Sequence, residues 1–281
     1  MRALALLPLP VIALFGNGLG MLLYALHVSR RRIVRINIAR CFPELGPSAQ
    51  AWLVRRHFRA LGQAFLDIGI AWWGSARRLQ RIVRWVGREH YERALSAQGH
   101  VIFLVPHFVG IEIGGIRLSI ELPIVDIFRH PDNEAIGVVM QRARTRFQAR
   151  LVEHIRGLVP VIRQVNNGYP LYYLPDQDPG RRSSSFVPFF DIPTATFNVL
   201  GRLAEITNAV VIPCYVRQLP YGGGYEIIMR APLDNFPTGD VIVDTTRMNR
   251  EIETAARAWP EQYFWVHKRF KTRPQGEAKF Y

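Results

Sequence analysis

The chain has 281 residues, of which 36 are Lys or Arg and 22 are Asp or Glu, so its formal net charge is +14. Because 49% of the residues are hydrophobic, the composition excludes a disordered chain, and the length suffices for one large domain or two small ones. Two cysteines, Cys41 and Cys214, are too few for a disulfide framework in a domain of this size, and no CxxC or Cys/His cluster indicates zinc. The excess of cations, nearly all of them arginine, indicates anionic partners.

The first predicted element is an apolar N-terminal segment, Ala3–Val28, which contains no Asp, Glu, Lys or Arg. At about 1.5 Å per residue, a helix of this length can cross a hydrocarbon core of about 30 Å. Prolines and glycines interrupt it, so a kinked span and a re-entrant or interfacial helix both remain open. The arginines that follow, beginning with Arg30, predict a cytoplasmic location for the rest of the chain. We therefore predict a membrane-anchoring segment, residues 1–29, and a cytoplasmic domain, residues 30–281.

Strands and helices alternate in the predicted cytoplasmic domain. Apolar runs predict strands over residues 81–86, 100–108, 123–129, 158–163, 171–175, 209–217 and 225–229. Apolar spacing predicts helices over residues 48–70, 88–98, 133–154, 194–208 and 240–258, and one that begins within 110–115. This alternation predicts an α/β fold with a mixed, largely parallel central sheet flanked by helices.

His107 directly follows a predicted buried strand, and Glu112 comes five residues later. On one continuous helix the two side chains would lie about 140° apart, so they meet only if Gly110 lets the chain bend before a new helix begins. A carboxylate on one imidazole nitrogen stabilises the protonated ring and leaves the other nitrogen as a general base. The same spacing also fits a histidine that caps the helix beside a surface glutamate, and both interpretations stay open.

Further candidates lie in two charged segments. Asp176 and Asp178 follow another predicted buried strand and precede Arg181; carboxylates there can hold a cation or position a hydroxyl, and arginine can bind phosphate. As a plain turn, the Asp-Pro-Gly sequence needs no function. Arg144 and Arg146 lie on a predicted helix, where phosphate capture and solvated arginines are both possible. The chain contains no GxSxG, Walker or GxGxxG motif, which leaves serine-hydrolase, P-loop and dinucleotide-binding functions without support.

Several of these motifs together resemble the bacterial lipid A biosynthesis late acyltransferases, the lauroyl and myristoyl transferases. PHFVGIE (106–112) is similar to the HxxxxE box of that family, and DQDPG (176–180) is similar to its DxDxG segment. SSSFVPFFDIPTAT (183–196) resembles its VPFF stretch, and PEQYFWVHKRFKTRP (260–274) its C-terminal signature. The resemblance covers nearly the whole chain, although the HxxxxE box alone would also fit phospholipid acyltransferases.

The resemblance implies a glycerophosphate-acyltransferase-like fold and an enzyme of the bacterial inner membrane with its catalytic domain on the cytoplasmic side. Such an enzyme moves a fatty acyl chain from acyl carrier protein to a hydroxyl of a phosphorylated lipid A precursor. It implies contact with anionic membrane lipid and no cofactor, catalytic metal or nucleic acid.

The resemblance also implies roles for the candidate residues. His107 would be the general base, oriented and supported electrostatically by Glu112. Arg144, Arg146 and Arg181 would bind acceptor phosphate or the carrier protein. Asp176 and Asp178 would shape the acceptor site. We expect the acyl groove to be lined by the apolar strand before His107 and by residues 186–192.

Two alternatives remain at this point. The first is an acyltransferase that uses the same His and Glu on a lysophospholipid or another glycolipid. The second is a basic membrane-surface binding protein without catalysis, although the arginines are scattered and no nucleic-acid motif is present.

Overall fold

The N-terminal quarter of the chain is helical. The computed structural model describes residues 1–182 and 184–281, without the side chain of Gln98, and begins with a 3₁₀ turn at Arg2–Leu6. Three helices follow: α1 Leu9–Leu26, α2 Val28–Cys41 and α3 Pro47–Trp73. The apolar segment therefore forms one helix that begins after Pro8, and α1 is long and apolar enough to cross a membrane.

Helix α1 packs closely along α3 through glycines. A Cβ atom on Gly16 would lie 2.4 Å from the Cα of Gln63, and one on Gly20 would lie 2.1 Å from the carbonyl oxygen of Phe58, so only glycine allows this approach. The opposite face of α1 exposes only apolar side chains and Gly18. The helix is thus buried on one side against the protein and leaves an apolar face unpartnered among the described residues.

The rest of the chain contains nine strands and seven α-helices within the described residues. The strands are β1 Val83–Val86, β2 Val101–Leu104, β3 Val125–Phe128, β4 Arg150–Glu153, β5 Leu171–Tyr173, β6 Ser184–Phe189, β7 Ile192–Phe197, β8 Val210–Gln218 and β9 Tyr225–Met229. The helices are α4 Ala76–Ile82, α5 Arg88–Gln98, α6 Ile111–Glu121, α7 Glu134–Arg144, α8 Val159–Asn166, α9 Leu200–Thr207 and α10 Val241–Ala258.

Seven of the strands form the central sheet, in the order β1-β9-β8-β2-β5-β3-β4. Every neighbouring pair is parallel except β8 and β9, which are antiparallel. Strands β6 and β7 form a separate antiparallel hairpin. Ile102 and Leu104 of β2 belong to one hydrophobic core and Val101 and Phe103 to another, because successive strand residues face opposite sides of the sheet. The predicted mixed, largely parallel sheet flanked by helices is confirmed.

Three of the predicted elements are wrong in type or extent. The strand predicted over 158–163 is helix α8, because Pro160 occupies its first turn, and Val161 and Val165 recur at helical spacing on the buried side. The helix predicted over 133–154 ends at Arg144, and β4 follows. The first part of the helix predicted over 194–208 is strand β7, whose β-branched Thr194 and Thr196 suit an extended chain.

Candidate active site

His107 lies just beyond the carboxyl end of the central strand β2, and Asp176 lies just beyond the neighbouring strand β5. The Nδ1 atom of His107 is 2.6 Å from Asp176 Oδ1, and the backbone N–H of His107 donates to Asp176 Oδ2 at 2.9 Å. An ionised carboxylate only accepts hydrogen bonds, so Nδ1 carries the proton in this pair and Nε2 is left as the basic nitrogen. The geometry is that of a histidine base oriented by a buried acid.

The charge state of Asp176 follows from its surroundings. Its side chain is only 1% exposed, and burial alone would raise its pKa. Electrostatic attraction to the His107 ring, the two hydrogen bonds from His107 and the charge of Arg269 outweigh that effect, so the pKa of Asp176 lies below its ordinary value. Asp176 is therefore a carboxylate near neutral pH, as an orienting partner of a histidine base must be.

Backbone hydrogen bonds to the C-terminal segment fix the chain on both sides of Phe108, next to His107. The backbone N–H of Phe264 donates to the carbonyl oxygen of His107 at 2.8 Å, and the N–H of Val109 donates to the carbonyl oxygen of Gln262 at 2.9 Å. The rings of Phe108 and Tyr263 meet edge to face, with centroids 5.9 Å apart. The motif of residues 260–274 thus contributes to the site by fixing the backbone that carries His107.

Glu112 lies in the first turn of α6 and has a different set of partners. Arg144 donates to it from Nη2 at 2.5 Å and from Nε at 3.2 Å, and the indole N–H of Trp72 donates at 2.7 Å. Arg144 also reaches Asp126 on β3, with Nη1 3.4 Å from Oδ2. Burial raises the pKa of Asp126 to about 6, an effect that the charge of Arg144 opposes. Burial lowers the pKa of the Arg144 guanidinium, but the carboxylates of Glu112 and Asp126 outweigh that effect and raise it.

The carboxylate that accepts hydrogen bonds from His107 is therefore that of Asp176, whereas the sequence spacing predicts Glu112. Within the described part of the chain, no hydrogen bond joins His107 to Glu112, although both line the same cavity. The bend at Gly110 that we predict between His107 and the following helix is present, since Gly110 immediately precedes α6. Glu112 is thus close to the site but is held by Arg144 and Trp72.

This cavity has a volume of about 400 Å³. Its polar side includes His107, Glu112, Asp126 and Arg144, and the exposed Arg129 lies at its edge. The apolar lining is contributed chiefly by α6, β3, β4 and the hairpin: Ile111, Ile116, Ile124, Ile127, Phe128, Leu151 and Phe197. We expected an acyl groove lined by Val101–Val105 and residues 186–192. None of these residues is among the described lining residues of this cavity. A cavity that is apolar inside and polar at a histidine base can hold a hydrocarbon chain that ends in a reactive carbonyl.

Three of the predicted binding residues make structural contacts outside this cavity. Arg146 donates to the carbonyl oxygens of Gly74 and Ala71 at the end of α3, at 2.7 and 2.8 Å. The carboxylate of Asp178 accepts from the N–H and hydroxyl of Thr272, at 2.7 and 2.8 Å. Arg181 donates to the carbonyl oxygen of Arg273 at 2.8 Å. Arg146 therefore braces α3, and the other two attach the 176–181 loop to the C-terminal segment.

Sequence reasoning missed two polar members of the site. Trp72 is the donor to Glu112, whereas its sequence context predicts only the end of a core helix. Asp126 lies within a strand that the sequence predicts correctly. A carboxylate between the apolar residues Val125 and Ile127 is the signal that could have identified it as a candidate site residue.

The described residues contain no group of three or more His, Cys, Asp or Glu side chains that could hold a metal ion. Both cysteines are buried, and burial raises the pKa of Cys214 to about 12. The pKa of Cys41 is raised in the same direction by burial and by Glu253. Neither thiol is in a setting that activates it as a nucleophile.

Comparison with known proteins gives consistent matches over nearly the whole chain. A family model described as bacterial lipid A biosynthesis acyltransferase matches residues 1–272. The lipid A biosynthesis lauroyltransferase of Escherichia coli K12 is 34% identical over 277 residues, which cover 98% of this chain and 90% of that protein. The palmitoleoyltransferase of the same organism is 31% identical over 279 residues, covering 98% and 90%. Its myristoyltransferase is 33% identical over 273 residues, covering 97% and 83%.

Proposed function

Because the chain belongs to the bacterial lipid A biosynthesis acyltransferases, we propose that it moves a fatty acyl chain from acyl carrier protein to a hydroxyl of a lipid A precursor, with His107 as the general base. The observation that carries the role of His107 is its 2.6 Å contact with the buried Asp176, at the edge of a cavity with an apolar lining. The donor is a thioester, and the acceptor is a phosphorylated glycolipid.

In the proposed reaction, Nε2 of His107 takes the proton of the acceptor hydroxyl as that oxygen attacks the thioester carbonyl. Asp176 holds the ring in the required tautomer and stabilises the imidazolium that forms. When the tetrahedral intermediate collapses, the C–S bond breaks and the leaving thiolate takes the proton from His107. The acyl group passes directly to the acceptor, and the enzyme returns to its starting state without a covalent intermediate.

Glu112 remains in this proposal as an electrostatic support. Its carboxylate lines the cavity and is held in place by Trp72 and Arg144, so it supplies a fixed negative charge near the imidazolium. In this proposal Arg144 positions Glu112, and its positive charge partly neutralises the negative charge of Asp126. We assign binding of an acceptor phosphate to Arg129, which lines the cavity and has no ion-pair partner among the described residues.

We further propose that the enzyme acts at the cytoplasmic side of the bacterial inner membrane, in contact with anionic lipid. The exposed apolar face of α1 and the five arginines of α2 support this assignment. Both the phosphorylated acceptor and an acyl carrier protein are acidic, which suits a net charge of +14.

The test is transfer of labelled acyl groups from a panel of acyl carrier protein thioesters to a tetra-acylated lipid A precursor and, in parallel, to lysophosphatidic acid. We expect transfer to the lipid A precursor, abolished in His107→Ala, and the preferred thioester identifies the donor length. Transfer only to lysophosphatidic acid would assign the enzyme to phospholipid synthesis and overturn the proposed acceptor. Transfer to neither would favour a binding protein without catalysis.

A further inference from the structure

A second recess, of about 380 Å³, lies near the catalytic segment and shares no described lining residue with the catalytic cavity. Its walls come from α1, α3, the end of β8 with the loop that follows, and residues 259–262. Trp259 lines it and meets the ring of Phe108, the neighbour of His107, with centroids 6.4 Å apart. One aromatic contact therefore connects this recess to the backbone that carries His107.

The recess has a net positive charge. Three guanidinium groups line it, from Arg56, Arg59 and Arg217, against one lining carboxylate, Glu261. Arg217 is also paired, with its Nη1 atom 3.2 Å from Oε2 of Glu226, a residue outside the lining. Arg56 pairs with Glu261 through a single contact of 3.2 Å. Since a guanidinium carries five N–H donors, that pairing leaves most of its donors for a ligand. Arg59 is exposed and has no ion-pair partner among the described residues.

Two of these arginines are already oriented by aromatic rings. The guanidinium of Arg56 lies over the ring of Trp52, 4.7 Å from its centroid, and that of Arg217 lies over Trp259 at 5.5 Å. Such stacking restricts the side chains before a ligand arrives, so less conformational entropy is lost on binding. Preoriented guanidinium groups at a small, net positive recess suit the oxygens of a phosphate group.

The position of the recess on α1 indicates that its ligand is amphipathic. The exposed apolar stripe of α1 includes Val11, Leu14 and Leu22. Successive residues of an α-helix are rotated by about 100° about its axis, so the side chain of Asn17 lies about 120° around the helix from the centre of that stripe. The recess, which Asn17 lines, therefore opens on the flank of the apolar face. If that face rests on a bilayer, the flank lies at the level of the lipid head groups.

A neighbouring loop extends the apolar edge of the recess. Tyr221 is 91% exposed and lines the recess. The next residue, Gly222, packs against the backbone of Leu9 and Pro10 at the start of α1, where a Cβ atom would lie 2.6 Å from the nitrogen of Pro10. The exposed tyrosine is thus fixed beside the apolar stripe, as expected of a side chain at a membrane surface.

We propose that this recess binds the phosphate group of an anionic phospholipid in the bilayer on which the exposed face of α1 rests. The proposal depends on the membrane contact proposed above but not on the acyl-transfer reaction. The bound lipid adds a second point of contact beside α1 and so narrows the range of orientations on the membrane that the apolar face of α1 alone allows.

The test measures binding of the full chain to vesicles of phosphatidylcholine, with and without phosphatidylglycerol, by flotation. Arg59→Gln and the double variant Arg59→Gln/Arg217→Gln are compared with Arg55→Gln, which removes an exposed arginine of α3 that does not line the recess. We expect affinity for the anionic vesicles to fall about fivefold in Arg59→Gln, and to fall further but by less than fivefold when Arg217→Gln is added, because Glu226 already neutralises part of the charge of Arg217. Binding to pure phosphatidylcholine stays unchanged in every variant, and Arg55→Gln stays within about twofold of wild type on both vesicles.

Three results would overturn the proposal. Unchanged binding of Arg59→Gln to anionic vesicles would exclude a role for the recess; this single variant decides the question if the double variant does not fold. An equal loss in Arg55→Gln would indicate general surface attraction. Binding of inorganic phosphate that Arg59→Gln weakens, together with vesicle binding that it leaves unchanged, would mean that the recess recognises free phosphate and not a lipid head group. Acyl transfer to a detergent-solubilised acceptor, measured on Arg59→Gln, separates failure of this proposal from failure of the proposed reaction.

Discussion

His107 and Asp176 are separated by 69 positions in the chain, yet two hydrogen bonds join them. The sequence identifies each as a polar residue at the end of a buried strand. It cannot pair them, because that requires knowing that β2 and β5 are neighbours in the sheet, and strand order is not written in a single sequence. The nearby Glu112 is therefore the partner that spacing predicts, whereas tertiary packing gives Glu112 to Arg144 and Trp72.

A first residue-scale prediction concerns Glu112. In Glu112→Gln, Arg144 loses its main charge partner and keeps only the longer contact to Asp126, so we expect the free energy of unfolding to fall by about 2 kcal/mol. Acyl transfer falls as well, because the fixed negative charge beside His107 is lost. Denaturant unfolding measures the first effect, with Glu89→Gln as an exposed control on α5. Equal stability of the two variants would contradict the account of the Arg144 pair.

A second residue-scale prediction concerns the pH dependence of stability. Burial raises the pKa of Asp67 from 3.8 to about 6, and its carboxylate accepts hydrogen bonds from Tyr225 and Gln63. In the folded protein Asp67 keeps its proton to higher pH than in the unfolded chain, so unfolding releases a proton between these values. The stabilising contribution is therefore present below about pH 4 and is lost as pH rises through about 6.

Asp67→Asn removes this titration, so the stability difference between the two proteins is expected to change with pH, by up to about 3 kcal/mol between pH 4 and pH 7. Buried His57, whose pKa burial lowers to about 4, titrates with the opposite sign in both proteins and cancels in the comparison. Urea unfolding at several pH values gives the measurement. A difference that stays constant with pH would show that Asp67 does not titrate in this window.

At the scale of secondary-structure elements, the packing of α1 on α3 makes a sharp prediction. A Cβ atom at Gly20 would lie 2.1 Å from a carbonyl oxygen of α3, whereas one at Gly18 meets nothing within 4 Å. We expect Gly20→Ala to destabilise the protein by about 2 kcal/mol and Gly18→Ala to be neutral or stabilising by up to about 1 kcal/mol. Thermal unfolding in detergent compares them. Identical midpoints would mean that α1 does not pack on α3 in solution.

The loop that carries Asp178 gives a second prediction at this scale. Because Asp178 accepts from Thr272 and Gly180, Asp178→Ala should loosen the attachment of the C-terminal segment and lower the free energy of unfolding by about 2 kcal/mol. Steady-state kinetics on the folded fraction should give a KM for the acceptor close to that of wild type. A large rise in that KM without loss of stability would contradict this structural role and support the role in the acceptor site that the family resemblance implies for Asp178.

Elements with strong local signals were predictable and others were not. The long helix α3, the terminal helix α10 and the buried strand β2 have periodic or continuous apolar patterns, and their predicted positions agree with the structure. Helix α8 contains a short apolar run that fits a strand as well as a helix, and the position of Pro160 and the spacing of Val161 and Val165 favour the helix. The β6–β7 hairpin was missed because Pro188 and Pro193 interrupt its strands, and because its turn residues, Phe190 and Asp191, lack the Asn-Gly or Asp-Gly signal of a two-residue hairpin loop.

At the scale of the whole molecule, the sequence establishes an apolar N-terminal segment and a large positive charge, but not how they are arranged. The structure buries one face of α1 against α3 and leaves the other face apolar, so the apolar N-terminal helix is packed against the rest of the chain. The basic recess and the segment that carries His107 meet at Trp259. The proposed membrane contact, the proposed lipid site and the proposed catalytic histidine thus lie within one continuous part of the molecule.

The most direct test of the account is the rate of acyl transfer by Asp176→Asn, with the tetra-acylated lipid A precursor as acceptor. An asparagine keeps the shape of the side chain but cannot stabilise the imidazolium, so we predict that kcat falls by about 10²- to 10⁴-fold while KM for the acceptor changes little. Circular dichroism and vesicle binding serve as the controls for folding and membrane contact. A folded, membrane-bound Asp176→Asn enzyme with a near-wild-type kcat would contradict the central claim that Asp176 orients His107 as the general base.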